Sequence, residues 1–334
     1  MRRHIVLLSW TLAVILALGA VLRPALSEAQ QSAKIPRVGY LPSASPPPGT
    51  PYAHLQGLQK GLGDLGYVEG RNIIIESRWT EGRLDRLPEL AAELVRLKVD
   101  VIVTVGGVGA RAAKDATTTI PVVFAVVVDP LVPPALVANL QRPGGNVTGF
   151  TTFDPQGARN RLELLKEAIP GLARVAILGD QGTRGTTIAA NEDAARAVGL
   201  EPQVLLVGGP NPDLEGAFEA ATRERANALV ILESPVAATN RVRIGELAVK
   251  HRMPTLFPRD HVDAGGLIAY GASLAEAGRR MAAYVDRILK GAKPGDLPVE
   301  MVTRRELIIN LRTAREIGVT IPPEVLRRAD QVIQ

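Results

Sequence analysis

The sequence contains no cysteine, although the chain is 334 residues long. This absence excludes a lipid-modified N-terminal cysteine, a thiol nucleophile and any metal site built from thiolates. It also excludes disulfides, which an exported chain of this size does not need if it buries a large core. With 46% hydrophobic and 22% charged residues, the composition is typical of a globular protein.

Histidines and aromatic residues are also few, with four histidines in the chain and an aromatic content of 4%. His54, His251 and His261 lack the four-residue spacing of a helical metal pair, so we expect no bound metal. No G-x-S-x-G elbow is present, and we assign no catalytic residue. The net charge of +5 falls to +3 outside residues 1–29, and charges of both signs are interspersed. We therefore expect no nucleic-acid partner.

The sequence contains one long apolar run, at residues 5–22. Arg2 and Arg3 precede this run, and the small residues Ser27 and Ala29 follow it. This order is typical of a secretory signal peptide, which we expect to be cleaved after Ala29. Because 18 apolar residues can also span a bilayer, an uncleaved anchor is the alternative. In both cases the rest of the chain works outside the cytoplasm.

Beyond this segment, short β-branched runs alternate with helical patterns. The predicted strands are 37–41, 72–77, 100–105 and 120–126, and then 174–179, 203–207, 228–232 and 254–257. Apolar strands separated by amphipathic helices indicate parallel sheets that are covered on both faces. Because the alternation pauses near residues 143–146, the sequence predicts an α/β fold with two successive lobes.

Two helix starts are also predicted from capping patterns. Asn211 is followed by Pro212, which matches an N-cap residue followed by proline at the first position of a helix. Ser273 and Glu276 have the spacing of a capping box, ahead of a helix through Ile288.

A glycine-rich turn follows the predicted strand at 100–105. Gly107, Gly109 and Ala112 fit G-x-G-x-x-G/A, and Asp129 lies about 20 residues further on, as in a dinucleotide fingerprint. An exported oxidoreductase that binds a dinucleotide at residues 107–112 is therefore the alternative function. The motif follows a third strand rather than a first, which favours another ligand. Such a turn suits a carboxylate or phosphate, or it simply connects strand and helix.

Polar residues and two glycines stand at the carboxyl ends of predicted strands in both units, where open α/β sheets bind ligands. They are Ser43, Gly106, Gly107, Asp129, Asp180, Glu233 and Arg259. Each alone is suited to forming a turn or capping a helix, but together they predict the lining of a cleft. Since carboxylates stand beside Arg259, the set favours a small zwitterionic or polar ligand over a polyanion.

Several stretches resemble the periplasmic substrate-binding proteins of ABC transporters, in the branch that includes tryptophan and tyrosine uptake receptors. The matching stretches are 65–72 (LGYVEGRN), 129–130 with 142–149 (RPGGNVTG), 264–271 (AGGLIAYG), 288–298 (ILKGAKPGDLP), 306–310 (ELIIN) and 322–330 (PPEVLRRAD). The resemblance implies a type I periplasmic binding-protein fold, an α/β fold with two Rossmann-like lobes joined by a three-crossover hinge.

The resemblance also implies a domain organisation. The signal peptide would occupy 1–29, the N-terminal lobe 35–150 plus 273–297, and the C-terminal lobe 151–272 plus 298–334. The turn at Gly106 and Gly107 would hold a ligand carboxylate through backbone N–H groups. Val108 stands where related sequences often carry serine or threonine, so that hydroxyl donor is missing. Tyr40, Phe257 and Tyr270 are the aromatic residues near the cleft, and they give no obvious stacking pocket.

The function implied is that of a periplasmic receptor rather than an enzyme. The receptor would bind an amino acid or a related small polar or carboxylate compound between its lobes. It would then deliver this solute to an ABC permease and its ATPase. We expect a monomer without a cofactor and without a covalent lipid anchor.

Overall fold

The alternation of apolar strands and amphipathic helices folds into two sheets, each covered by helices on both faces. The computed structural model describes residues 34–43, 52–127, 136–152, 154, 156–209, 211–258, 262 and 265–334. The expected leader lies outside these residues. Residues Pro36–Gln334 cluster as one compact unit.

All neighbouring strands of the first sheet run parallel, in the order β11-β5-β4-β3-β1-β2. The strands are β1 (Arg37–Pro42), β2 (Ile74–Ser77), β3 (Val101–Val105), β4 (Val122–Val127), β5 (Val147–Thr151) and β11 (Glu300–Met301). Most of these strands are buried along their length, which is why they read as continuous apolar runs.

The second sheet has the order β13-β12-β10-β9-β8-β6-β7, with one antiparallel pair, between β10 and β12. The strands are β6 (Arg174–Asp180), β7 (Glu201–Val207), β8 (Ala228–Ile231), β9 (Thr255–Phe257), β10 (Ile268–Ala272), β12 (Arg305–Asn310) and β13 (Gln331–Ile333). The first five strands of each sheet follow the same 2-1-3-4-5 order. This is a doubly wound order, in which ligands bind outside the carboxyl ends of the strands.

The helices of the described residues flank both sheets. They are α1 (Ala53–Asp64), α2 (Leu87–Arg96), α3 (Gly107–Ala116), α4 (Gly157–Ala168), α5 (Gly185–Ala197), α6 (Leu214–Arg223), α7 (Pro235–Thr239), α8 (Arg241–Lys250), α9 (Leu274–Leu289), α10 (Leu311–Ile317) and α11 (Pro323–Arg327), with 3₁₀ turns at Leu84–Arg86 and Pro294–Asp296. Apolar cores form on both faces of each sheet. Helices α1 and α9 cover one face of the first sheet, and α4, α5 and α10 cover one face of the second.

The capping predictions have mixed outcomes. The hydroxyl of Ser273 accepts a hydrogen bond from the N–H of Glu276 at 3.2 Å, which confirms a cap at the start of α9. The cap predicted at Asn211 is wrong. Helix α6 is capped by Asp213, whose Oδ1 accepts from the N–H of Gly216 at 2.9 Å. Pro212 therefore precedes the cap instead of following it.

The chain passes between the two sheets three times. It leaves the first sheet after β5, returns after β10 to form α9, and leaves again between β11 and β12. These passages confirm the expected three-crossover α/β fold. Within the described part of the chain, no helix combines the length and apolarity needed to cross a membrane.

Candidate functional site

A cavity of about 310 Å³ lies at the carboxyl ends of strands from both sheets. The first sheet contributes Val126 from β4, and the second contributes Leu232 and Glu233 directly after β8. Helices α4 and α5 close the wall on the side of the second sheet. The polar side chains that line it include Thr152, Asp154, Arg161, Asn191, Glu233 and Arg305. The cavity therefore has the place that ligand sites take in doubly wound sheets.

Val126 reaches the cavity through an irregular stretch of β4. Its φ of 59° lies in the left-handed region, which a β-branched residue rarely adopts. The register between β4 and β5 shifts between Phe124 and Val127, as at a β-bulge. Such a conformation costs about 1–3 kcal/mol and tends to occur at functional sites. The fold therefore holds Val126 at the wall at a cost in stability.

Arg305 is held in place by two hydrogen bonds. Its Nη2 donates to Oδ2 of Asp154 at 3.3 Å, and its Nη1 donates to the carbonyl of Val302 at 2.5 Å. Oδ1 of Asp154 accepts from the N–H of Gln156 at 3.0 Å, just before α4 begins. The ion pair thus connects the segment after β5 with the start of β12, and it fixes the guanidinium beside the cavity.

Arg161 lines the same cavity from α4 but forms no ion pair among the described residues. Its Nη2 lies 3.5 Å from Oδ1 of Asn191, at the limit of a hydrogen bond. Its Nε is buried without a hydrogen-bond partner. The pKa of the Arg161 guanidinium is lowered to about 10, mainly by burial; the charge of Asp154 opposes this change and the charge of Arg305 contributes to it. Arg161 is therefore charged at neutral pH but weakly compensated.

Two further polar groups complete the wall. The hydroxyl of Thr152 is buried and has no hydrogen-bond partner among the described residues. The half-buried Glu233 places a carboxylate on the wall. With Asp154, Arg161 and Arg305, the described wall carries two positive and two negative side chains. This balance suits a ligand that itself carries both charges.

The predicted turn residues form one structural unit at the end of β3. Gly106 has a φ of 89°, and a Cβ there would lie 2.8 Å from the hydroxyl oxygen of Ser43. That oxygen accepts a hydrogen bond from the N–H of Gly109 at 2.9 Å. Ser43 thus satisfies one donor of the first turn of α3, while Gly107 and Val108 remain exposed.

The predicted residues of the second sheet do not all lie at the cavity. Glu233 lines the cavity. Asp180, at the end of β6, is buried, and its Oδ1 accepts from the hydroxyl of Thr183 at 3.1 Å. Phe257 is fully buried in the core of the second sheet. Tyr270 is half-buried beside the cavity residue Gly271.

Asp129 and Arg259 lie outside the described residues, and a ligand role for the predicted set stays a prediction. The rule that ligands bind at the carboxyl ends of strands does not predict Arg161, Arg305 or Asn191, because these residues stand on helices and at the start of a late strand. One signal was available for Arg161. It lies four residues after the buried Gly157 and four before the buried Leu165, on the core-facing side of α4.

An aromatic cluster lies at the carboxyl end of the first sheet and is formed by Tyr40, Tyr52, His54 and Trp79. The ring centroids of Tyr52 and His54 are 4.0 Å apart, and Trp79 lies 5.6 Å from both tyrosines. Tyr40 is fully buried, whereas Tyr52 and Trp79 are half-buried. Burial, together with the nearby Tyr52, raises the pKa of Tyr40 well above its ordinary value. The few aromatic residues of the chain are thus partly concentrated at one place.

Both sheets, their shared strand order and a cavity between them define a type I binding-protein architecture. The family model described as "ABC transporter substrate binding protein" matches residues 49–333. The chain therefore belongs to the family of ABC transporter substrate-binding proteins.

Individual relatives agree with this family. A "Tyrosine-binding protein" of Clostridioides difficile (strain R20291) is 25% identical over 263 residues, which cover 78% of this chain and 75% of the relative. The structure of a conserved domain protein from Vibrio cholerae is 28% identical, with a TM-score of 0.80, and covers 90% of this chain and 100% of that one. The structure of an ABC domain in complex with L-Trp from Streptococcus pneumonia is 26% identical, with a TM-score of 0.79, and covers 89% and 99% respectively.

Proposed function

We propose that this chain is the extracytoplasmic receptor of an ABC uptake transporter and binds a small amino acid-like solute in the cavity. The observation that carries the proposal is a cavity at the carboxyl ends of both sheets with charges of both signs on its wall. Family membership supports solute binding. It favours this function over the alternative of an exported oxidoreductase, as does the use of the Gly109 N–H by Ser43.

The solutes to test first are aromatic amino acids. One relative is named as a tyrosine-binding protein, and the structure of another holds L-Trp. A cavity of about 310 Å³ is at the small end of the range for ligand sites and has room for one such molecule. Two positive and two negative side chains on the wall suit the carboxylate and ammonium groups of an amino acid.

Binding would act by closing the two lobes around the solute. We propose lobes close to 35–150 plus 273–297 and 151–272 plus 298–334, which meet at the three crossovers, with β11 on the side of the first lobe because it pairs with β5. A Cβ on Gly82 would lie 3.8 Å from Thr239, so the two sides also approach each other away from the crossovers. A solute that contacts both lobes favours the closed form, which a permease then recognises, and no chemical step or cofactor is needed.

A thermal-shift screen tests this function. The purified protein is heated with each of the common amino acids, with small carboxylates, and with NAD and NADP as the matched test of the oxidoreductase. Binding to the folded state stabilises it by about 2.7 kcal/mol at a solute concentration of 100 times Kd. We expect one or a few amino acids to raise Tm in a saturable way. A rise with NAD or NADP alone, or with no compound, would contradict the proposal.

A further inference from the structure

We propose that Arg161 and Arg305 form a carboxylate clamp, which binds the carboxylate of the solute from the side of the second sheet. The inference rests on the proposed function and adds to it the residues and the chemical group that they recognise. It differs from the expectation that the turn at Gly106 and Gly107 holds the carboxylate.

The strongest observation is the incomplete compensation of Arg161. A guanidinium offers five N–H donors and is expensive to bury without an anion. Among the described residues, Arg161 has a single side-chain acceptor, the neutral amide of Asn191 at 3.5 Å, and its buried Nε has no partner. The carboxylate of Asp154 attracts the Arg161 guanidinium, but this carboxylate is already paired with Arg305, whose own charge repels Arg161. A planar carboxylate that contacts both groups would supply the missing charge and acceptors.

Arg305 has the features of the fixed half of this clamp. Asp154 and the carbonyl of Val302 use two of its donors and hold the guanidinium in one orientation. The remaining donors are available on a side chain that is 17% exposed and lines the cavity. The ion pair with Asp154 offsets the charge of Arg305, so the charge left for the solute is mainly that of Arg161.

Thr152 adds a third group of the same kind. Its hydroxyl is buried, lines the cavity and has no hydrogen-bond partner among the described residues. Buried hydroxyls nearly always have a partner, and a solute oxygen would supply one. By contrast, the turn at Gly106 does not line this cavity. Two of its backbone N–H groups already donate hydrogen bonds within the protein. The N–H of Gly106 donates to Ala125, and that of Gly109 donates to Ser43.

The experiment compares R161M with R159M, a matched control on the same helix. Arg159 is 61% exposed and pairs with Glu163. The probes are L-tyrosine and L-tryptophan and their amides, which keep the side chain and the ammonium group but lack the carboxylate. Isothermal titration gives Kd for each pair of protein and probe, and a thermal melt gives the Tm of each protein without solute.

We expect R161M to weaken binding of the acids by at least about 30-fold, since removing one partner of a buried charge pair has an effect of this order. We expect R159M to bind the acids as tightly as the unchanged protein does. We also expect the unchanged protein to bind the amides at least about 30-fold more weakly than the acids. Equal binding of acids and amides, or full binding by R161M, would overturn the clamp while leaving the proposed function intact.

The melt without solute tests the clamp independently of any binding measurement. If only a bound solute compensates the charge of Arg161, this charge destabilises the protein without solute. R161M should then melt at the same temperature as the unchanged protein or at a higher one. If Arg161 instead stabilises the fold, R161M should melt at a lower temperature. A clear fall in the Tm of R161M that is not seen in R159M would overturn the clamp. If neither acid binds the unchanged protein, the aromatic solute class is what fails.

Discussion

At the scale of single residues, the cavity wall combines several energetically unfavourable features. Val126 adopts a backbone conformation that suits glycine, Arg161 carries a weakly compensated charge, and Thr152 buries a hydroxyl without a partner among the described residues. Buried atoms without a hydrogen-bond partner among the described residues also occur outside the cavity, at the hydroxyl of Tyr40 and at Nη1 of Arg241, whereas other buried polar side chains such as Asn310 have several hydrogen bonds. The cavity wall differs in combining a strained backbone, a weakly compensated charge and an unpartnered hydroxyl, a combination typical of a binding site.

Arg161 leads to a prediction about stability and pH. Burial lowers its pKa in the folded protein to about 10, whereas the unfolded chain has the higher ordinary value. The unfolded state therefore binds this proton more tightly. Below about pH 9 Arg161 is charged in both states, so the full free-energy cost of burying its charge destabilises the folded state. Replacement of Arg161 by Met should raise the free energy of unfolding by about 1–3 kcal/mol. Urea unfolding between pH 5 and 9 should show the same gain throughout.

R159M is the control for this stability measurement as well, because Arg159 is exposed and should change the free energy of unfolding little. A gain in R161M that disappeared within this pH range would mean that another titrating group, not Arg161, sets the cost.

The residues of the site were only partly predictable from the sequence. Glu233 follows an apolar strand directly, so the rule for doubly wound sheets could select it. Arg161 lies in the middle of a helix, where an arginine is usually solvent-exposed, and only the spacing to Gly157 and Leu165 marks it. Arg305 becomes part of the site because β12 pairs with β10, across a sequence separation that no local pattern encodes.

At the scale of elements, the packing of α1 on α9 depends on small residues. A Cβ on Gly57 would lie 2.3 Å from the carbonyl oxygen of Ala275, and one on Gly278 would lie 2.3 Å from that of His54. The helices therefore approach each other closely along a glycine-lined contact. Because α9 follows the second crossover, this contact also fixes where the chain re-enters the first sheet.

Two alanine substitutions in α1 should have opposite effects. Gly57→Ala forces the two helices apart, and we expect a loss of at least about 1–3 kcal/mol, the usual range for overpacking. Gly63→Ala meets nothing within 4 Å, so the higher helix propensity of alanine should give a gain of up to about 1 kcal/mol. Urea midpoints measured with equal slopes check both. A loss in both variants would mean that helix geometry, not the contact with α9, decides the outcome.

Strands were more predictable than their boundaries or the late elements. The eight predicted runs correspond to β1–β4 and β6–β9, because buried parallel strands leave an apolar signature. Strand β5 (VTGFT) contains threonine and glycine, and Gly149 is required there since a Cβ would lie 2.0 Å from the Phe124 carbonyl. Helix α6 shows the limit of capping patterns, because Asn211 and Asp213 are both good caps and only the backbone selects Asp213.

At the scale of the whole molecule, the aromatic cluster offers a signal for lobe closure. Trp79 is the single tryptophan outside residues 1–29, and it stands three positions before Gly82, where the two sides approach each other. It is half-buried against Tyr40 and Tyr52. A movement of the second lobe over this edge would change the polarity around the indole.

We expect Trp79 fluorescence to change in intensity or wavelength when a stabilising amino acid other than tryptophan is added. The change should saturate with the same Kd as the thermal shift. W79F should lose the optical signal but keep the thermal shift, unless the indole itself contacts the solute. Fluorescence that stays constant while the solute binds would contradict closure over this edge.

The charge balance of the cavity wall has a consequence for how fast a solute is captured. Two guanidinium groups and two carboxylates cancel at a distance, so the described wall has little field to attract a solute from beyond about 10 Å, the screening length at 0.1 M salt. Capture would then be limited by diffusion and by the opening of the lobes. The rate at which this wall captures a solute should therefore change little with ionic strength.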